Sequence, residues 1–145
     1  MTTATVQALD LTKTYPRSPN ALLGDYILLA RITDKCRAVI AGTNGAYNFN
    51  CPMDRLFFDF TGIDADAFKA HVASGASDDE VLAWVVQHSQ PRTRDEILTW
   101  AYKSRWMEVP ESYMAFFEDY CRKYAPNHPY LKNFFQMLDA EEGRL

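Results

Sequence analysis

Seven side chains carry most of the chemistry this sequence offers: Arg17, Arg31, Asp34, Lys35, Arg37, Tyr47 and Asp54. Guanidinium groups grip a carboxylate or phosphate in a two-pronged fork, and a phenol beside them adds a directed hydrogen bond. Brought together by the fold, these groups would hold a small anionic ligand. Each also has a structural use. Asp34 lies three residues from both Arg31 and Arg37, the spacing of helix-surface ion pairs. Lys35 and Arg37 fall in a last helical turn and Asp54 in a first one, where cations and anions respectively complement the helix dipole.

Cys51 is the one thiol with an address for nucleophilic catalysis. It precedes Pro52 at a predicted helix start, where amide dipoles stabilise a thiolate. Asp34 with Asp54 is the matching carboxylate candidate for acid–base work on a small metabolite. No histidine is near Cys51 in sequence to act as its base. His71, His88, His128 and the three cysteines show neither Cys-x-x-Cys nor His-x-x-x-His spacing, so no metal or other cofactor is expected. The Gly42 to Gly45 loop lacks the spacing of a phosphate-binding loop and leads away from a helix N-terminus.

The elements that must position these groups are mostly helical. Apolar residues recur at Leu28, Ile32, Cys36 and Val39 or Ile40, predicting a helix from about residue 22 to Ala41 with its charged residues on the opposite face. Gly42 is placed to end it in the left-handed conformation. Asn44-Gly45 followed by alternating Ala46-Tyr47-Asn48-Phe49 predicts a short hairpin or extended arm near residues 45–50. Pro52 suits the first position of a helix that Gly62 closes, and Asp64 caps the next. Ser77-Asp78-Asp79-Glu80 and Thr93-Arg94-Asp95-Glu96 both read as capping boxes ahead of apolar periodic runs.

From Pro110, Tyr113, Phe116, Phe117, Tyr120, Cys121 and Tyr124 form the cleanest apolar stripe in the chain, which predicts a helix packed on one side. A last helix is predicted from near Pro129, presenting Tyr130, Leu131, Phe134, Phe135 and Leu138 before an acidic tail. Core packing accounts for these aromatics more simply than a partner groove, with a homodimer through the C-terminal helices as the alternative. No repeat or linker divides the chain. The expectation is therefore a mainly α, compact single-domain bundle over residues 1–145, with six or seven short helices and residues 1–8 frayed.

Composition bounds the function. At 145 residues and 48% apolar content, the chain can build a core without disulfides or metal. A formal charge of -4 is the wrong sign for phosphate neutralisation, which argues against nucleic acid. No apolar run approaches the roughly 20 residues that span a bilayer, and no secretory signal pattern is present. Three widely spaced cysteines fit reduced thiols, so a cytoplasmic location is expected.

One set of residues carries a family resemblance: Asp10-Leu11, Pro16-Arg17-Ser18-Pro19, Leu23-Gly24-Asp25-Tyr26, Arg31, Asp34-Lys35-Cys36-Arg37-Ala38, Gly42, Gly45, Tyr47, Asp54, Phe60, Gly62 and the run from Asp79 to Trp84. On these the chain resembles the bacterial domain-of-unknown-function family 5069, over roughly its N-terminal two thirds. It departs from the family pattern at Asp25, where a second glycine is usual, and at Ala46, where an acidic residue is common. The resemblance implies a soluble bacterial protein of about this length and attaches no activity, substrate or catalytic residue. The leading expectation is a non-enzymatic domain that binds a small anionic ligand or a protein through the seven residues above. The rival is an enzyme acting through Cys51 or the Asp34 and Asp54 region.

Overall fold

The computed structural model describes residues 7–145, so most of the segment expected to fray lies outside the described residues. Seven α-helices follow one another: α1 (Leu29–Ala41), α2 (Asp54–Thr61), α3 (Ala65–Ala73), α4 (Asp78–His88), α5 (Arg94–Arg105), α6 (Met114–Tyr124) and α7 (Phe134–Glu141), with a 3-10 turn at Glu111–Tyr113 leading into α6. No strand occurs among the described residues, in keeping with the mainly α expectation. The one sheet-like feature there is an isolated bridge between Leu23 and Tyr26 around Gly24.

The local signals explain most helix ends. Gly42 closes α1 at φ 75°, its N–H reaching Ala38 and Val39 carbonyls, because a residue with no Cβ enters that region at least cost. Asp64 accepts from the Ala67 N–H at 2.9 Å to start α3. Both predicted capping boxes form, Ser77 with Glu80 and Thr93 with Glu96.

Four boundaries differ from the sequence reading, the simplest being α6, which starts at Met114 after the 3-10 turn at Glu111–Tyr113 and not at Pro110. Helix α1 starts at Leu29, well after residue 22, because Leu28 sits at φ 68° with its N–H bonded to the Pro19 carbonyl at 2.9 Å. A left-handed leucine is costly, and complete burial of Leu28 together with that bond holds it in place. Helix α2 starts at Asp54, with Pro52 in the preceding turn, because the Asp54 carboxylate accepts the Asn50 and Cys51 N–H groups and closes that turn. Helix α7 starts at Phe134, capped by Asn133, whose side chain accepts from Gln136, so Tyr130 and Leu131 precede it. The segment between Gly42 and Pro52 is non-helical, as an arm requires. It is built from turns, including Tyr47 N–H to the Asn44 carbonyl at 2.9 Å, with no hairpin pairing.

Two apolar clusters result. The larger gathers Tyr26, Ile27, Leu28, Leu29, Ile32 and Cys36 with Phe57, Phe58, Phe68, Val81, Val85, Ile97 and Phe135, so α1 is enclosed by α2 to α5 and the start of α7. Aromatic edges interlock there: Phe57 meets Phe58 at 5.4 Å and Tyr26 at 5.6 Å, both near perpendicular, the arrangement ring quadrupoles favour. The smaller holds Val109, Phe117 and Met137, with Tyr120, Cys121, Leu131, Phe134 and Leu138 at its margin. Helix α6 therefore leans mainly on α7, with Val109 and Leu131 beside it. Replacing Phe57 with Ala is expected to cost about 3–5 kcal/mol in urea unfolding. Thr93→Ala, which removes only a cap, is expected to cost about 1 kcal/mol.

Candidate functional site

A helix enclosed on nearly every side has nowhere to put a solvated face. Arg31, Asp34 and Lys35 on α1 are accordingly buried, and Arg37 is half-buried, contrary to the exposed polar face the periodicity suggested. A buried charge is tolerable only when it is paired and hydrogen-bonded. The seven predicted residues do meet carboxylates or cations, but in three separate clusters, and the helix-surface pairs expected of Asp34 with Arg31 and Arg37 do not form.

In the first cluster, Arg17 lies between two carboxylates. Its Nε and Nη2 donate to Asp34 at 3.0 Å each, and its Nη1 and Nη2 donate to Asp78 at 2.8 and 3.2 Å. The Arg17 backbone N–H also donates to Asp34 at 2.9 Å. The prolines on either side explain the aim, since Pro16 and Pro19 fix the loop that lays Arg17 across the start of α4. Arg37 completes the cluster by donating to Asp78 at 3.0 Å and to the Ala76 carbonyl at 2.9 Å. Burial opposes the charge on Arg17, but the bonds to Asp78 and Asp34 outweigh it and raise its pKa. The hydrogen bond from Arg17, followed by its charge and the bonds from Arg37, holds the Asp78 pKa below the ordinary carboxylate value despite partial burial.

The second cluster ties the first turn of α1 to Glu142, just beyond α7. Arg31 makes a two-pronged contact with Glu142, Nη1 to Oε1 at 2.8 Å and Nη2 to Oε2 at 2.7 Å, with both side chains essentially excluded from solvent at 3% and 0% exposure. Tyr47 donates its phenol to Glu142 Oε2 at 2.9 Å while the Arg31 guanidinium lies over its ring at 5.5 Å. Burial first, then the neighbouring Glu142 charge, pushes the Tyr47 phenol pKa up, so it remains a donor. Arg144 reaches both Glu142 and the Pro16 carbonyl.

The third cluster joins Lys35 to Asp54 at 2.7 Å, with side chains 5% and 1% exposed. The Lys35 ammonium also donates to Cys51 Sγ at 3.4 Å. Asp54 spends its other oxygen on the Asn50 and Cys51 N–H groups, at 2.9 and 3.4 Å. Asp34 and Asp54 thus serve different cations, Arg17 and Lys35 respectively.

Sequence reasoning missed Asp78, Asp139, Glu142 and Arg144. Asp78 read as an ordinary first-turn acid and Glu142 as part of an acidic tail. The missing clue was a count: a helix enclosed by apolar neighbours needs one carboxylate for each cation it carries. Asp139 accepts from Ser18 at 2.7 Å and Asn20 at 2.9 Å and lies 3.8 Å from Arg144. Five cations, Arg17, Arg31, Lys35, Arg37 and Arg144, therefore face five carboxylates, Asp34, Asp54, Asp78, Asp139 and Glu142.

Two shallow depressions lie elsewhere. One of about 430 Å³ is lined by Phe60, Asp95, Glu96, Thr99, Trp100 and Lys103, and another of about 360 Å³ includes Gly24, Tyr26, Leu82, Gln90 and Arg92. Neither contains any of the seven residues. No group of three or more His, Cys, Asp or Glu placed to hold a metal ion occurs among the described residues. No helix among them is long and apolar enough to cross a membrane.

The aromatic stripe has a different outcome from the one expected. Of its members only Phe117 is buried, while Tyr113 and Phe116 are each 55% exposed and Tyr124 is 44% exposed. Phe116, Tyr120 and Tyr124 stand ring against ring along α6, with centroids 5.6 and 4.5 Å apart. Core packing claims one edge of the stripe, and the rest faces outward.

The family model described as "Domain of unknown function (DUF5069)" matches residues 13–144. No curated protein matches the chain.

Removing Glu142 leaves Arg31 buried without its partner, so Glu142→Ala is expected to cost about 3–5 kcal/mol. Combining it with Arg31→Met should cost clearly less than the sum of the two single changes, as a double-mutant cycle in urea would read. Because the Asp78 pKa is lowered in the folded state, its contribution is complete above the unfolded value near 3.8 and fades as pH falls through the folded value. Asp78→Asn should therefore lower stability at pH 7, by about 1–2 kcal/mol given its partial exposure, and make the loss below pH 4 shallower.

Proposed function

The chain belongs to this family of unknown function, and from that premise we propose that it is a non-enzymatic partner-binding domain whose contact surface is the uncovered aromatic ridge of α6. The observation that carries this reading is the ring-to-ring series Phe116, Tyr120 and Tyr124, at 5.6 and 4.5 Å, with its outer members about half exposed. Aromatic side chains dominate the energetics of protein contacts, and monomers rarely leave such a series to water. Binding of a small anion at the charged clusters has less support, because each cation there is already matched to a carboxylate. A reducing, cytoplasmic setting belongs to the same reading and is supported by three free cysteines.

The occupant that fits the ridge is a second copy of the chain. Along α6 the charges run Glu118-Asp119, then Tyr120, then Arg122-Lys123. Two copies crossing antiparallel about a two-fold axis near Tyr120 would set the acidic pair of one against the basic pair of the other. The pairing that Arg122 now makes with Asp119 is on the surface, so exchanging it across an interface costs little. Phe116 and Tyr124 are about half exposed on either side of Tyr120. At roughly 100 Å² for each such ring, they would form the centre of an interface whose standard size is ~800 Å² per partner.

Size-exclusion chromatography with light scattering should return twice the 16.6 kDa chain mass at tens of micromolar. Phe116→Ser and Tyr124→Ser should return the monomer mass while keeping a cooperative melting transition, since neither ring is buried within the single chain. A wild-type protein that stays monomeric at high concentration rejects self-association.

A further inference from the structure

We propose that Lys35 and Cys51 form a reversible nitrogen–sulfur crosslink when a hydroperoxide oxidises Cys51, making the joint between α1 and α2 a redox-responsive clasp. The inference stands apart from partner binding and rests on the third cluster alone. Cys51 is not an isolated thiol: the Lys35 ammonium donates to its sulfur at 3.4 Å, and Asp54 grips the same ammonium at 2.7 Å. The amine and the aspartate are almost fully buried, whereas Cys51 is a partly exposed residue, so of the three groups it is the one nearest to solvent. The other two thiols are poorer targets. Burial pushes the Cys36 thiol pKa up to about 12 and also raises that of Cys121.

The chemistry closes within these three side chains and one peroxide. The Cys51 sulfur attacks one peroxide oxygen, the O–O bond breaks, and the other oxygen leaves with the thiol proton as water, or as an alcohol from an organic hydroperoxide; two electrons pass from sulfur to oxygen and a sulfenic acid remains. Lys35 yields one ammonium proton to Asp54, already in hydrogen-bond contact, and becomes a neutral amine. Its lone pair attacks sulfur, the S–OH bond breaks, and the hydroxide leaves as water with a second lysine proton. The product is a sulfenamide beside a protonated Asp54, with net charge unchanged. Thiols reverse it by attacking sulfur and returning the amine. Capture by Lys35 also halts oxidation before the irreversible sulfinic acid.

The test uses the full chain with Cys36→Ala and Cys121→Ser, so that Cys51 is its only thiol. After hydrogen peroxide treatment, intact-mass spectrometry should show a monomer lighter by two hydrogens, and peptide mapping should join the Lys35 and Cys51 segments. Dithiothreitol should restore the original mass, and the linked form should melt at a higher temperature than the reduced one. Adding Lys35→Arg keeps a cation opposite Asp54 but removes the nucleophilic amine; the light species should vanish and Cys51 should gain two oxygens. If that variant does not fold, Cys51→Ser in the same background must also lose the light species. Accumulation of sulfinic acid or of a disulfide-linked dimer in the parent protein, without the Lys35–Cys51 link, overturns the proposal. So does a light species that survives Lys35→Arg or Cys51→Ser.

Discussion

Burial of the charges on α1 is the constraint on which the rest of the structure depends. A helix that offers Ile32 and Cys36 to the core on one side and Arg31 and Lys35 on another, with solvent on almost none, can exist only if carboxylates come to it. They arrive from three distant places: Asp54 from the start of α2, Asp78 from the start of α4, and Glu142 from just beyond the end of α7. Charge balance around one helix thereby fixes the path of the whole chain. The sequence separation of 111 residues between Arg31 and Glu142 illustrates the reach of this constraint.

Such pairs define the fold more than they stabilise it. Removing a guanidinium and a carboxylate from water costs several kcal/mol per ion, which good geometry recovers without much surplus. An unpaired member is heavily penalised, so each cation rejects packings in which its carboxylate is elsewhere. The two-pronged Arg31–Glu142 contact is the strictest case, because both oxygens are used and Tyr47 fills a remaining lone pair. The first cluster is looser. Arg17 and Asp78 are each more than a third exposed, so water shares in solvating them and the contact acts more as a surface clamp.

The legibility of this arrangement in the sequence follows the range of the interaction. Caps and stops act within four residues, and Gly42, Asp64, Ser77 with Glu80 and Thr93 with Glu96 all behave as their local patterns say. The start of α1 was illegible because it depends on the Pro19 carbonyl and on burial of Leu28, neither of which leaves a periodic trace. The candidate residues were singled out for their chemistry, yet Asp34 was matched to its neighbours Arg31 and Arg37, whereas the fold gives it Arg17. Helical spacing identifies partners only for a helix with a wet face, and nothing local announces that α1 lacks one. Period-based reading failed on α6 for the converse reason. It finds an apolar stripe without revealing its depth of burial, and Phe117 and Phe116 are indistinguishable until the position of α7 is known.

These two failures are connected. Around α1 the fold spends its charge inward, balancing five cations against five carboxylates and leaving that region little net field to project. Helix α6 sits outside that arrangement, resting on α7 through Phe117 while Phe116 and Tyr124 face away. A surface that recognises by steering needs unpaired charge, and the α1 clusters have none to offer. A surface that recognises by burial needs rings already ordered on a rigid element, so that little side-chain entropy is lost on contact. On the reading proposed above, the tilted series of Phe116, Tyr120 and Tyr124 would supply that on α6, with acidic and basic residues on opposite sides of Tyr120 to set direction. Internal charge balance and outward apolar rings are thus two sides of one allocation of residue types: charge specifies how the chain closes on itself, and the aromatics not used in closure stand on α6.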